Sequence, residues 1–440
     1  MAPDFQPKVD VGRHTKYFLR CLKTYLPTAY QSNDSNRMSL AFFTLAGLDL
    51  LGTLDNNISA EQRSDYIAWI YALQHPSGGF RAFPGTDLGP DHTTPLNAHW
   101  DPANLPATYF ALSSLLVLGD DLRRVARKET LAWLKALQRP DGSFGETIGQ
   151  GGTVHGGTDS RFGYCAMSVR FILRGNSEEG SEAEGVADVD LDAFVECIRA
   201  AETYDGGISD APFHEAHAGF TYCTVAALNL TGRLDTSTST YNPPASSQNP
   251  SKSVAPTHPA RVLHWLVSRQ TATISPEDED DTYGDETDTP ETCHDAHTFV
   301  HQEVFVSKRG KESFEGRPSH SFDVDWTGFN GRCNKIADTC YAFWVGASLN
   351  IMNHSSLTST TSLRRYLLEK TAHRTLGGFG KLAGDLPDIY HSCLGLAALS
   401  LTGDEDLKAL DASLCISQEA RGRLDAIWAR WGRASCDSRS

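Results

Sequence analysis

One short turn recurs along this chain at a constant interval, and a chain built that way must stack like units rather than fold around one irregular core. The copies read Gln74-His-Pro-Ser-Gly-Gly-Phe80, Gln138-Arg-Pro-Asp-Gly-Ser-Phe144 and Glu202-Thr-Tyr-Asp-Gly-Gly-Ile208, evenly spaced in their starting positions. Later copies end at Thr327-Gly-Phe329 and Gly377-Gly-Phe379. Amphipathic helical patterns precede the turns, as in Asp65 to Leu73 and Thr130 to Leu137. Beyond each turn and a loop comes a second, more apolar helix: Ala107 to Leu116, Phe162 to Leu173, Phe220 to Leu230, Thr339 to Leu349 and His391 to Leu401. A helix apolar all round is buried all round. The pattern predicts an all-α fold, an α-α barrel (toroid) of repeated helical hairpins with loops gathered at one mouth. An open solenoid of the same hairpins is the alternative.

Residues 1–440 are expected to form one such domain. Three stretches break the repeat: 176–190 is acidic and rich in Gly and Ser, 235–260 is rich in Ser, Thr, Asn and Pro, and 275–324 carries Pro276-Glu-Asp-Glu-Asp-Asp281. All three read as flexible surface insertions, with too little apolar area to order themselves. A formal charge of -16 argues against nucleic-acid binding. No apolar run is long enough to span a bilayer, and the N-terminus lacks the apolar stretch of a signal peptide. The ten cysteines are scattered rather than paired in a dense framework, which suits a reducing, cytoplasmic setting.

Chemistry-bearing residues are densest after the fourth turn, in Gly331-Arg332-Cys333-Asn334-Lys335-Ile336-Ala337-Asp338-Thr339-Cys340-Tyr341-Ala342-Phe343-Trp344. Asp338 and Cys340 flank the start of one apolar helix, and His391 opens the next. Successive inner helices of a ring start side by side, so these three side chains can converge. A carboxylate, a thiolate and an imidazole with one position left open suit a catalytic zinc ion. Each also has a plainer role: Asp338 as a helix cap, Cys340 as a core thiol, His391 as a satisfied polar group. Arg332 and Lys335 are a solvated loop in the plain reading and a diphosphate site in the other.

The turns, the Gly331-Arg-x-x-Lys-x-x-Asp-x-Cys-Tyr-x-Phe-Trp344 segment and the later His391 together resemble the β subunits of protein prenyltransferases, from about Tyr17 to Leu401. The resemblance implies that Asp338, Cys340 and His391 hold one zinc ion. It implies that His217, Arg332, Lys335 and Tyr341 bind the diphosphate. Arg161, Phe162, Tyr164, Cys223 and Trp344 would then line the isoprenoid tunnel, with Phe43 among its aromatic walls. A separate α subunit, an isoprenoid diphosphate and proteins ending in Cys-aliphatic-aliphatic-X, such as small GTPases, are the implied partners.

Two positions sort the chain within that family. Ser39 stands where the farnesyl branch closes its tunnel with tryptophan, so the resemblance implies the longer geranylgeranyl chain. Lys381 stands ten residues before His391, where the farnesyl and Rab branches have a magnesium-binding aspartate. The type I geranylgeranyl branch has lysine there, which implies a catalytic cation and no magnesium requirement. Tyr390 departs from type I and resembles the farnesyl branch, pointing to some overlap in acceptor peptides. A farnesyl-transferring β subunit is the alternative within the family, and a non-catalytic α-α barrel binding module the alternative outside it. A squalene-type cyclase is disfavoured, because its Asp-x-Asp-Asp acid motif is replaced by Asp323-Val-Asp-Trp326.

Overall fold

The computed structural model describes residues 7–175, 177–237, 252–274 and 326–437. Among the described residues, six helical hairpins follow one another. Their outer members are α1 (Val11–Lys23), α3 (Ala60–Ala72), α5 (Arg127–Ala136), α7 (Leu191–Ala200), α9 (Pro259–Val267) and α11 (Thr360–Arg365). Their inner members are α2 (Arg37–Leu50), α4 (Leu105–Val117), α6 (Ser160–Arg174), α8 (Ala218–Thr231), α10 (Thr339–Ile351) and α12 (Ile389–Leu401). Each inner helix packs on the next, and α12 packs back on α2, so the ring is closed and the solenoid alternative falls. Among the described residues, no helix is long and apolar enough to cross a membrane.

The recurrent turn shows why it needs glycine. Gly78, Gly142, Gly206 and Gly377 all have positive φ, and a Cβ on each would lie 2.0 to 2.5 Å from a backbone carbonyl in the first turn of the next outer helix. Those carbonyls belong to Glu129, Ala193, Arg261 and Arg13 in turn. A side chain would therefore fail twice, by conformation and by clash. The last contact joins the sixth hairpin to α1 and closes the outer layer.

The same seam uses a buried histidine. His14 Nδ1 accepts from Gly378 N–H at 2.9 Å, and its ring stacks on Phe379 at 4.8 Å. Burial lowers the His14 pKa to about 4, with Asp10 raising it and Arg13 lowering it. The unfolded chain therefore holds the extra proton between pH 6.5 and 4, so this stability is complete above 6.5 and is lost on acidification. The expected loss is about 2 kcal/mol by pH 5. Denaturant midpoints at pH 7 and 5 for the native chain and His14→Gln test this, because the substitution should remove that part of the acid sensitivity. Equal acid sensitivity in both would refute it.

Two expected insertions are more ordered than their composition suggested. Within 177–190, Glu182–Ala183 pairs with Val186–Ala187 as a hairpin. Asp188 beside it takes Arg170 through Nε at 2.9 Å and Nη2 at 2.5 Å, with Arg174 at 3.2 Å. The ion pairs fix this segment to α6, and Ala183 and Val189 add buried apolar contacts. In the second stretch Ala255 is buried and its N–H donates to Arg233 O at 3.1 Å, and Pro259 already opens α9. Residues 238–251 and the whole 275–324 stretch lie outside the described residues. That third stretch interrupts the fourth turn itself, since Gln270 pairs with Phe329 as Gln74 does with Phe80.

Candidate active site

Helix starts on the inner ring place the chemistry. Five of the six inner helices begin with a side chain that accepts a backbone N–H of their own first turn: Asn104, Asp159, His217, Asp338 and Asp388. Caps of this kind satisfy amides that the helix leaves unpaired. All of them sit at the end of the ring to which the turns and loops lead, so one mouth collects polar groups above an apolar interior.

Asp338, Cys340 and His391 meet there. Their ligand-competent atoms all lie within 4.8 Å of one another, and all three residues are buried. Asp338 Oδ1 accepts from Cys340 N–H at 2.8 Å and stands 3.4 Å from His391 Nε2. The cap and ligand roles weighed from sequence are thus compatible in one side chain. His391 Nδ1 is held by Asp388 Oδ2 at 2.6 Å, and Tyr30 Oη donates to the other Asp388 oxygen at 3.1 Å. That bond leaves Nε2 as the nitrogen aimed at the cluster, the usual arrangement behind a metal-binding imidazole. Asp388 was given no role from sequence, although an acidic cap three residues before His391 was the available signal.

The electrostatics suit a cation. Burial would lower the His391 pKa, but hydrogen bonds to Asp338 and Asp388 and their charges lift it to about 9. Burial, and then the Asp338 carboxylate, push the Cys340 thiol well above its ordinary value. Burial opposes ionisation of Asp338, yet its bonds to His391 and Cys340 leave its pKa lowered. One oxygen, one sulfur and one nitrogen donor at this spacing fit zinc.

Next to this cluster lie several of the residues expected to bind the diphosphate. His217 Nδ1 accepts from Gly219 N–H at 3.0 Å, so its Nε2 faces Tyr341 Oη at 3.1 Å. Burial and then the Arg332 charge lower the His217 pKa. Arg332 lies 3.4 Å from Glu215 and is half exposed. Lys381 Nζ is 4.0 Å from Asp338 Oδ2, with its ammonium largely in solvent. Lys335 is exposed at the same mouth. Arg161 forks onto Asp159 at 2.8 and 3.1 Å and lies over the Phe220 ring.

Below the mouth, an unbroken circuit of aromatic contacts runs round all six inner helices. Phe43 meets Phe110 at 5.4 Å, Phe110 meets Tyr109 at 5.0 Å, and Tyr109 meets Tyr164 at 5.3 Å. Tyr164 meets Tyr222 at 5.5 Å, Tyr222 meets Trp344 at 4.8 Å, and Trp344 meets Tyr390 at 6.4 Å. Tyr390 returns to Phe43 at 5.3 Å. Phe43, Phe110, Trp344 and Tyr390 keep part of their surface exposed. Since these rings stand on the inner helices of a closed ring, we read that surface as lining a hollow inside it. Ser39 is half-buried one turn above Phe43 on α2, Phe162 is half-buried near the start of α6, and Cys223 is buried on α8. Phe110, Tyr109 and Tyr222 were not singled out from sequence, where they read as ordinary barrel core. A separate cavity of ≈ 330 Å³ between α7 and the inner helices α6 and α8 is lined by none of the predicted residues.

Fold and site together define a six-hairpin toroid with a metal-competent cluster at the mouth of an aromatic hollow. The profile described as the prenyltransferase alpha-alpha toroid domain matches residues 9–416, and the chain belongs to that family. It is similar to geranylgeranyl transferase type-1 subunit beta of Arabidopsis thaliana, with 29% identity covering 91% of this chain and 87% of that protein. The Dictyostelium discoideum protein of the same name is 28% identical over 94% of this chain and 97% of its own length. A protein farnesyltransferase subunit beta of Schizosaccharomyces pombe is 26% identical over 89% of this chain and 78% of that protein. Among solved structures, Candida albicans protein geranylgeranyltransferase-I complexed with GGPP matches with a TM-score of 0.70 and 26% identity, covering 96% of this chain and 100% of that chain.

Proposed function

We propose that this chain is the zinc-holding catalytic β subunit of a type I protein geranylgeranyltransferase. Its reaction would move a geranylgeranyl group from the diphosphate to the cysteine thiol of a C-terminal Cys-aliphatic-aliphatic-X tail. The observation that carries this reading is the convergence of Asp338, Cys340 and His391 at the mouth of an aromatic hollow. The names of its relatives support the geranylgeranyl type and a second subunit.

Asp338, Cys340 and His391 would hold the ion, with Asp388 and Tyr30 fixing the imidazole. Zinc bound there would favour the ionised form of an incoming thiol at neutral pH. The chain's own groups do the rest. His217 Nε2, Tyr341 Oη, Arg332, Lys335 and Lys381 would face the charge that grows on the departing diphosphate, with no need for magnesium. Preorganised donors of this kind contribute about 3 kcal/mol each when well placed. Phe43, Phe162, Tyr164, Cys223, Trp344 and Tyr390 would enclose the isoprenoid and exclude water, with Arg161 at the entrance. Ser39, small at its position, leaves room for the longer chain. The eight free cysteines among the described residues suit a cytoplasmic setting.

Asp388→Asn would remove the charge that orients His391. It is expected to weaken zinc binding about 10- to 100-fold, as measured by competition with a chelator. Unchanged affinity would show that Asp388 serves only as a cap.

The direct test uses the chain reconstituted with its α subunit, zinc and no magnesium. Labelled geranylgeranyl should pass to a Leu-terminated peptide faster than farnesyl does. A preference for farnesyl, or strict magnesium dependence, would overturn the type I assignment. Tyr390, which resembles the farnesyl branch at its position, favours some transfer to peptides ending in Ser or Met. Complete rejection of those peptides would refute that overlap.

A further inference from the structure

The cavity of ≈ 330 Å³ between α7 and the inner helices α6 and α8 takes no part in the transfer chemistry. Two departures from the repeat make room for it. The residue before the recurrent turn is Leu73 after α3 and Leu137 after α5, both buried, but Ala201 after α7. On α4, α8 and α12 a hydroxyl four residues beyond the helix cap takes a turn amide, through Thr108, Thr221 and Ser392. The same place on α6 is Gly163, and both Gly163 and Ala201 line the cavity. Side-chain volume removed from a packed layer leaves a void unless the layer collapses.

The void is not an inert packing gap, because a polar group is spent on it. Thr224 on α8 lines the cavity, is 1% exposed, and its Oγ1 has no hydrogen-bond partner among the described residues. Seven residues beyond the cap, the other capped helices carry Ala111, Ala166, Val345 and Gly395, so the repeat itself needs no hydroxyl there. A buried hydroxyl left unpaired costs stability that alanine would not. The charged residues of the lining are Asp141, Asp159, Glu196 and Asp210, with no lysine, arginine or histidine among them. Asp159, Glu196 and Asp210 already pair with Arg161, Arg199 and His214. Asp141 has no ion pair among the described residues and accepts only from Ser143, through Oδ1. Asp141 and Glu196 are exposed and mark the opening, whereas Phe144, Phe194 and Ile208 are buried walls.

We propose that this cavity binds a small aromatic amine, with its ammonium at the acidic opening and a polar atom of its ring on Thr224 Oγ1. The volume suits such a molecule, being near the lower end of small-molecule pockets at about 300 Å³. The carboxylates favour a cation and disfavour an anion. The site is separate from the hollow, and the inference stands whether or not the chain transfers isoprenoids.

The test is calorimetric titration of the full chain, assembled with its α subunit, with tyramine, phenethylamine and 4-hydroxyphenylacetate. Tyramine should bind about fivefold more tightly than phenethylamine, which lacks the ring hydroxyl. The charge-reversed 4-hydroxyphenylacetate should bind at least about tenfold more weakly than tyramine. Thr224→Val should erase the advantage of tyramine over phenethylamine and leave phenethylamine unchanged. Ala201→Leu, which restores the residue of the neighbouring repeats and fills the cavity, should abolish binding of both amines. If that variant does not fold, Thr224→Val carries the test, since it alters one atom and little volume. No saturable binding of tyramine would overturn the proposal and leave the cavity to water. Tyramine binding that persists in Ala201→Leu, or an advantage over phenethylamine that persists in Thr224→Val, would place the amine elsewhere and overturn it equally. So would tighter binding of 4-hydroxyphenylacetate than of tyramine.

Discussion

Cys340→Ala is expected to abolish stoichiometric zinc in the assembled enzyme and to slow prenyl transfer about a thousandfold. The three candidate ligands lie within 4.8 Å of one another and form the one such group among the described residues. Removing the sulfur leaves a carboxylate and an imidazole that already attract each other across 3.4 Å. In the native chain without metal, His391 is protonated up to about pH 9 and pairs with Asp338, so two ligands would close on each other instead of on an ion. The rate estimate follows from the several kcal/mol that a bound cation contributes to charge stabilisation, with about 1.36 kcal/mol for each factor of ten. The fold should survive, because Cys340 fills a small volume at a helix start and Asp338 still caps α10 through the residue 340 amide. Metal content by mass spectrometry, thermal unfolding and single-turnover transfer should be read together. Full zinc with full activity would mean that the thiol is only core, and the metal assignment would fail.

The hairpin repeat was legible in the sequence because the turn imposes its own requirements locally. Gly78, Gly142, Gly206 and Gly377 each need positive φ and an empty Cβ position, and no other residue satisfies both. Convergence of Asp338 with His391 was also legible, since consecutive inner helices of a ring must begin side by side. Composition misled at 177–190. A Gly/Ser-rich acidic run has little apolar area, but Asp188 gains order from Arg170 and Arg174 on α6, and sequence does not announce such pairings. The fourth repeat was harder to align because Gln270 and Phe329, partners in one turn, are separated by the long 275–324 stretch. Asp388 passed unnoticed because a capping aspartate is common, and only the 2.6 Å bond to His391 Nδ1 distinguishes it. The bonds that tie Tyr109 to Leu414 and Tyr222 to Ala412 were invisible for a different reason. Tyr109 and Tyr222 bond backbone carbonyls 305 and 190 residues away, and a carbonyl has no residue signature.

Lys381→Asp is expected to make the enzyme magnesium-dependent, with transfer in magnesium-free buffer falling about 100- to 1,000-fold. The native ammonium stands 4.0 Å from Asp338 Oδ2 and its side chain is mostly exposed, so it can swing to a diphosphate at the mouth for the loss of one long ion pair. As a compact point charge on a flexible stem, lysine can follow the phosphoryl oxygens as the leaving group departs. Aspartate reverses that charge. It would repel the diphosphate and sit beside the Asp338 carboxylate until a second cation bridges the gap, which magnesium can do through carboxylate and phosphate oxygens together. Titrating magnesium into the variant should therefore restore much of kcat, while the native enzyme should show no magnesium response. Zinc content separates this effect from damage to the cluster, since it should stay at one ion per heterodimer in both proteins. A variant that loses activity, keeps its zinc and ignores magnesium would place Lys381 in folding or peptide contact instead. One that stays fully active without magnesium would remove Lys381 from the leaving-group site, and with it the main residue-level argument for a magnesium-independent enzyme.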